Sequence, residues 1–338
     1  MTVRVGINGF GRIGRNFLRA ARESAADIEI VAVNDLLSAQ INAHLLHYDS
    51  TYRRYPGSVE VKGSDLVVDG HVIKVLAERD PSALRWGEMG VSVVVESTGR
   101  FTKREAAAAH LAGGAKRVVI SAPSGDADAT FVIGVNEGDF DPAKDFVISN
   151  ASCTTNCFVP MMKVLDDAFG VDKGLMTTVH AYTNDQELLD FARDNLRRAR
   201  AAAVNIVPTT TGAARATSLV MANMKGRLDG LSLRVPIPVG SITDFTGILN
   251  AAVDAKSINA AFAAAAASGP LAKVLVYTED PIVSSDIVGS PASCTFDSAL
   301  TMTLPLDGDK TLAKVFGWYD NEWGYSHRLV ELVELVGK

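Results

Sequence analysis

One run, Val5-Gly6-Ile7-Asn8-Gly9-Phe10-Gly11-Arg12-Ile13-Gly14-Arg15, constrains the fold more than anything else in this chain. Val3 to Ile7 is short, apolar and β-branched, the composition of a buried strand. Arg12 to Ala21 follows with helical character, and Glu29-Ile30-Val31-Ala32-Val33 is a second strand. Strand, glycine turn, helix and strand within about 30 residues make a βαβ unit, which commits its two strands to a parallel sheet. Further β segments at Val67-Val68, Val72 to Leu76, Val91 to Val95 and Val118-Val119-Ile120 continue the pattern. Thr102 is placed to cap a helix through Leu111, with Gly113-Gly114 closing it.

The three glycines serve separate ends. Gly9 permits a tight turn, Gly11 lets the backbone approach a pyrophosphate, and Gly14 lets helix and sheet pack closely. The helix that follows offers unpaired N–H groups and a partial positive charge to phosphates. Asp35 ends the second strand, near the spacing of about 20 residues expected for an acid that binds a ribose. A carboxylate there repels a 2′-phosphate, so the reading is NAD in preference to NADP.

At 338 residues the chain exceeds the size at which single cores stop growing, so two domains are expected. Hydrophobic and charged contents of 47% and 21% are those of a globular protein. A formal charge of −6 gives no reason to expect nucleic acid or an anionic membrane as the main partner. Three cysteines are too few for a disulfide framework, no signal peptide is expected ahead of the first strand, and no apolar run approaches a bilayer span. A cytoplasmic location is the expectation.

After Asn150 the texture changes. A helix pattern from Cys153 to Phe169 ends at Gly170, and Pro160 inside it is expected to kink or break it. Strand candidates then cluster at Leu175 to His180, Leu228 to Val235, Ser241 to Leu249, Ser293 to Asp297 and Leu312 to Tyr319, before a helical tail from Trp323 to Val336. The expected fold class is α/β: a Rossmann-type doubly wound, mostly parallel sheet, followed by an α+β catalytic domain with a largely antiparallel sheet. Expected boundaries are 1–150 for the dinucleotide-binding domain, 151–318 for the substrate domain, and 319–338 for a C-terminal helix packing back on the first domain.

Cys153 stands in Ser152-Cys153-Thr154-Thr155-Asn156, where a helix begins. A free thiol is only a few per cent thiolate at neutral pH, and a helix N-terminus or a neighbouring imidazolium lowers its pKa. His180 leaves a strand into the polar run Ala181-Tyr182-Thr183-Asn184-Asp185-Gln186, well placed to meet a helix-borne thiol. A buried, inert cysteine is the common case for the residue type; the hydroxyl and amide neighbours of Cys153 point away from it. Cys157 and Cys294 read as core. His44 and His47 stand three apart on a helix, but no carboxylate or cysteine cluster completes a metal site; His71, His110 and His327 stand alone.

Arg193, Arg197, Arg198 and Arg200 form a basic run that spacing alone assigns to a solvated loop. Arg234 sits within the apolar stretch Leu231 to Pro238 and needs an anionic partner, either a carboxylate of the protein or a bound phosphate. The run Pro208-Thr209-Thr210-Thr211-Gly212 supplies hydroxyls and N–H groups before a helix, a second seat for phosphate.

These residues resemble phosphorylating glyceraldehyde-3-phosphate dehydrogenase from end to end. The resemblance is carried by Asn8 to Arg15, Asn34-Asp35, Ser152 to Asn156, His180 to Gln186, Asn205 to Ala214, Leu233 to Pro236, and Trp318-Tyr319-Asp320-Asn321-Glu322-Trp323-Gly324-Tyr325. It implies that Cys153 attacks the aldehyde of glyceraldehyde 3-phosphate with His180 as base, that NAD takes the hydride, and that inorganic phosphate releases 1,3-bisphosphoglycerate from the thioester. Ser152, Thr154, Thr211 and Gly212 are then expected at one phosphate, and Thr183, Arg198 and Arg234 at the other. Arg12, Ile13, Asp35, Arg79, Ser121 and Asn321 join Gly9, Gly11 and Gly14 as cofactor residues. Family members are usually homotetramers.

Two departures stand out. The family's Thr-Asn-Val-Ser step after Arg-Val-Pro is replaced by Ile237-Pro238-Val239-Gly240-Ser241, and its Leu-Pro pair by Phe191-Ala192. Spacing also leaves open which of Arg197, Arg198 and Arg200 touches phosphate. Erythrose-4-phosphate dehydrogenase, which uses water in place of phosphate, is the nearest rival reading. A non-catalytic dinucleotide-binding scaffold is the other, and it has no need to retain Cys153 and His180.

Overall fold

A computed structural model describes residues 2–338, which fall into two compact units. The first comprises residues up to Phe131 with Asn136–Ala151 and Ser326–Lys338; the second comprises Val132–Val135 and Ser152–Tyr325.

In the first unit, strand Val3–Asn8 lies at the centre of a nine-stranded sheet. Helix Arg12–Glu23 leads from it to Ile28–Asn34 on one side, while Val93–Glu96 and Arg117–Ile120 lie on the other. Six neighbouring pairs, from Ala129–Thr130 at one edge to His71–Leu76, are parallel. The last two strands, Asp65–Val68 and Val59–Lys62, turn back antiparallel. Val5, Ile7, Val94, Val95 and Val119 are all buried, as central parallel strands must be when both faces are covered. The chain reverses its direction of travel across the sheet at Val3–Asn8, and there Gly9 and Ser97-Thr98 sit side by side at the carboxyl ends of their strands.

In the second unit, eight strands form a mostly antiparallel sheet; only two of its pairings, of Val171–Ala181 with Leu228–Val235 and of Leu275–Thr278 with Cys294–Asp297, are parallel. Buried and half-buried residues alternate along Ser241–Leu249 and Lys310–Tyr319, so one face carries the core. Helix Cys153–Phe169 lies on that face, with Phe158 against Phe245 at 5.5 Å between rings. Gly317 makes the close approach possible: a Cβ there would come within 2.6 Å of the sulfurs of Met161 and Cys294. Cys157 and Cys294 are fully buried.

Three expectations need correction. Pro160 does not break its helix, which runs unbroken from Cys153 to Phe169. Eleven residues between Thr154 and Leu165 are buried, and that packing outweighs a proline cost of about 3 kcal/mol. The helix expected from Thr102 to Leu111 is two short pieces, Arg104–Ala107 and Ala109–Ala112, entered from Lys103 instead. Asp126, not a threonine cap, accepts the Arg104 N–H at 3.0 Å. Finally, His110 does not stand alone: it is fully buried and hydrogen-bonded on both ring nitrogens. Among the described residues no helix is long and apolar enough to cross a membrane.

Candidate active site

Ser152 caps the helix that carries Cys153. Its Oγ accepts from Thr155 N at 3.0 Å and lies 2.7 Å from Thr155 Oγ1, so Cys153 becomes the first helical residue. Ala151, immediately before, holds φ at +55°, a left-handed conformation costing a non-glycine residue about 1 kcal/mol. No sequence signal marks that strain.

Strand Val171–Ala181 delivers His180 to the same place. Cys153 Sγ lies 3.4 Å from His180 Nε2, within hydrogen-bonding distance for sulfur. The ring also lies edge-on to Tyr319 at 5.9 Å. Arg234 is the register partner of His180 on the neighbouring parallel strand. Its Nη1 stands 2.5 Å from His180 Nδ1 and donates to Ala181 O at 3.0 Å, while Nδ1 lies 2.7 Å from that same oxygen. Nδ1 can carry a proton toward Ala181 O or accept one from Arg234, but not both. The first arrangement leaves Nε2 bare and able to take the thiol proton.

Burial and the Arg234 charge push the His180 imidazole down to about 3. The ring is therefore a neutral acceptor, and no imidazolium sits beside the thiol in the free site. Burial pushes the Cys153 thiol up, while the Arg234 guanidinium and hydrogen bonds from Thr154 pull the other way. The helix N-terminus acts in the same sense as Arg234.

The expected phosphate residues divide. Arg234 has no carboxylate partner and its buried Nε has no acceptor, so its charge is available to an anion. Arg198 is half-buried, donates through Nε to Thr209 Oγ1 at 2.9 Å, and is paired with Asp185 at 2.6 Å. Thr183 donates to that same Asp185. Arg193 and Arg200 pair with Glu187 and Asp190, and Arg197 is exposed. Thr154 Oγ1 is tied to Tyr319 OH at 2.8 Å, which also meets Thr178 Oγ1 at 2.8 Å. Thr211 and Gly212 precede only the single turn Ala213–Ala216, too short to offer much of a dipole.

In the first unit Gly9 takes φ +93°, and a Cβ there would lie 2.7 Å from Thr98 N. A Cβ on Gly14 would lie 2.3 Å from Gly9 O, whereas one on Gly11 would meet nothing within 4 Å. The backbone is thus crowded from within at 9 and 14 and open outward at 11, which leaves room there for a phosphate. Helix Arg12–Glu23 has no side-chain cap and no acid in its first turn, leaving its start to an outside anion. Asp35 is half-buried; Oδ2 accepts from Phe10 N and Oδ1 from Leu37 N, both at 3.0 Å, which fixes the carboxylate beside the glycine turn. Arg12 pairs with Asp49 at 2.9 Å, Arg79 is exposed, and half-buried Ser121 follows its strand directly. These features fit a dinucleotide. Asn321, in the second unit, accepts through Oδ1 from Gly240 N at 3.2 Å and Ser241 Oγ at 3.1 Å.

Residues 3–104 match the family model described as "Glyceraldehyde 3-phosphate dehydrogenase, NAD binding domain", and residues 152–321 the one described as "Glyceraldehyde 3-phosphate dehydrogenase, C-terminal domain". The chain belongs to the glyceraldehyde-3-phosphate dehydrogenase family. It is 60% identical over 337 residues to glyceraldehyde-3-phosphate dehydrogenase 2 of Streptomyces avermitilis, covering 100% of this chain and 99% of that protein. The glyceraldehyde-3-phosphate dehydrogenase of Streptomyces coelicolor is likewise 60% identical with the same coverage. That of Mycobacterium avium is 58% identical over 344 residues, again covering 100% and 99%. Membership in this family makes NAD the dinucleotide of the first unit.

Proposed function

We infer that the protein is an NAD-dependent phosphorylating aldehyde dehydrogenase, converting D-glyceraldehyde 3-phosphate and inorganic phosphate to 1,3-bisphosphoglycerate. The observation that carries this reading is the Cys153 Sγ at 3.4 Å from His180 Nε2, at a helix N-terminus, in a chain of this family. Cys153 attacks the aldehyde carbon as its proton passes to Nε2 of His180, which hands it to the former carbonyl oxygen to give the thiohemiacetal hydroxyl and is left bare again. NAD, when bound, would supply the acceptor for the hydride of this carbon. His180 takes the hydroxyl proton as the thiohemiacetal becomes a thioester. An oxygen of inorganic phosphate then attacks, and the Cys153 thiolate leaves.

Residues 1–150 serve as the NAD-binding domain, with Gly9, Gly11, Arg12, Ile13, Gly14, Asp35, Arg79 and Ser121 holding the cofactor. Residues 151–318 are the catalytic domain, and the helix in 319–338 returns to the first. Arg234, Thr183 and Arg198 take one phosphate; Ser152, Thr154, Thr211 and Gly212 take the other. The unpartnered Nε of Arg234 supports the first site. The second needs Thr154 to exchange its bond to Tyr319.

The active form is a homotetramer in the cytoplasm. Leu188, Leu189, Phe191, Leu196, Val204 and Ile206 are each more than 60% exposed within one segment, a patch suited to another copy of the chain. Its three cysteines are all free. An assay of NADH formation with and without inorganic phosphate tests the reaction: full-rate turnover in its absence means that water is the acyl acceptor and the proposal is wrong. Light scattering on the eluting protein tests the tetramer.

A further inference from the structure

Asn8 and Glu96 end neighbouring parallel strands and are register partners. Both are buried, as is His110, and none of the three has a part in the thiol chemistry. Asn8 Nδ2 donates to Glu96 Oε2 at 2.6 Å, and His110 Nε2 lies 3.0 Å from the same oxygen. Trp86 Nε1 lies 3.0 Å from His110 Nδ1. An indole N–H can only donate, so Nδ1 is the bare nitrogen and Nε2 carries the proton. His110 therefore donates to Glu96. On the other side, Glu96 Oε1 accepts from Thr98 N at 2.9 Å and Thr98 Oγ1 at 2.5 Å. All four groups around the carboxylate are donors.

The network reaches each part of the dinucleotide cradle. Asn8 Oδ1 accepts from Asn34 Nδ2 at 2.7 Å, and Asn34 exchanges two 2.8 Å bonds with the backbone of Glu78. Gly9 follows Asn8 and Asp35 follows Asn34, while Ser97 Oγ donates to Gly9 O at 2.6 Å. The turn of Gly9 thus backs onto the same Ser97-Thr98 step that Glu96 grips. A buried carboxylate is a costly way to fill a core, which apolar residues fill more cheaply. It is an effective way to gather donors from two neighbouring strand ends and from the helix that carries His110.

We propose that Glu96 is a positioning residue for the dinucleotide, its carboxylate oriented by His110 and Trp86 so that the Gly9 turn, the Thr98 step and the strand end bearing Asp35 are set before the cofactor binds. The proposal rests on the reading of this cradle as the NAD site. A glutamine cannot replace Glu96, because its NH2 must face either Thr98 or the pair Asn8 and His110, all of them donors.

The test measures NAD affinity by calorimetry and, separately, the rate of Cys153 alkylation by iodoacetamide in the free protein. In Glu96→Gln we expect the Kd for NAD to rise 10-fold or more while alkylation changes less than two-fold. The double variant Asn8→Asp, Glu96→Gln moves the carboxylate across one hydrogen bond. The amide at 96 then donates to position 8 and still accepts from Thr98, and Asn8 Nδ2 already lies 3.4 Å from His110 Nε2. Its NAD affinity should return to within about three-fold of the parent. A Glu96→Gln protein that binds NAD as the parent does overturns the proposal. Should the single variant not fold, a folded double variant with NAD affinity more than 10-fold down overturns it equally. A parent protein that fails to bind NAD would instead reject the cofactor reading.

Discussion

His180 and Arg234 are register partners on adjacent parallel strands, and the guanidinium sits against the Nδ1 side of the ring while the thiol of Cys153 meets the Nε2 side. One fixed charge therefore acts on both members of the pair. It lowers the imidazole, second to burial, and lowers the thiol against burial. Removing it as Arg234→Gln should raise both: the ring protonates more readily and the sulfur ionises less readily. Iodoacetamide alkylation of Cys153 in the free protein should move to higher pH, and a shift of one unit slows it on the order of 10-fold at pH 7. An unchanged or acid-shifted profile would mean that Arg234 does not tune the thiol.

Replacing the sulfur separates chemistry from binding. Cys153→Ser leaves the Ser152 cap and the helix unaltered but substitutes a hydroxyl that ionises far less readily. Turnover should fall by at least about 10³-fold while NAD affinity, measured by titration, stays near that of the parent. Near-normal NADH production by this variant would rule out a covalent intermediate on residue 153.

The glycines of the cradle should fail for different reasons. Gly14→Ala puts a Cβ against Gly9 O, a backbone atom that cannot step aside, so stability should fall by about 1–3 kcal/mol. Gly11→Ala meets open space, and its effect on stability should stay under about 1 kcal/mol. In the proposed site its methyl would occupy the side open to a pyrophosphate, so the Kd for NAD should rise on the order of 10-fold or more. Thermal melts and NAD titrations on the two variants check this. A Gly11→Ala protein with normal affinity would move the phosphates elsewhere.

Local pattern exposes the strands that rest on a clear apolar or alternating run, as in Val3–Asn8 and Ser241–Leu249, and misses short ones such as Val59–Lys62, Val147–Ser149, Val207–Thr210 and Leu275–Thr278. It also exposed Cys153 and His180, since each stands at an element boundary among polar neighbours. What escaped was pairing at a distance. Nothing in the run around His180 says that Val171–Ala181 takes Leu228–Val235 as a parallel neighbour, yet that register alone brings Arg234 to the imidazole. His110 looked isolated for the same reason: Glu96 and Trp86 lie 14 and 24 residues away. Pro160 misled in the opposite sense, because a local rule was overridden by burial that only the folded sheet supplies.

On the proposed reading of the cradle, Asp35 is the residue that would set the choice between NAD and NADP. Phe10 N and Leu37 N each donate to one of its oxygens, so the carboxylate is fixed in place, and in the proposed site its charge would oppose a 2′-phosphate. At an effective dielectric near 20, like charges about 4 Å apart repel by roughly 4 kcal/mol; solvent screening at a half-buried site reduces this to a discrimination on the order of 100-fold. The parent should therefore favour NAD over NADP in kcat/KM by about that factor. Asp35→Asn removes the charge but turns an NH2 toward one of the two backbone donors, so efficiency with NAD should drop roughly 10-fold while the preference narrows. Steady-state kinetics with both cofactors measure the two effects separately. A parent enzyme equally efficient with NADP would show that the replacement of the family's Leu-Pro pair by Phe191-Ala192 outweighs the carboxylate.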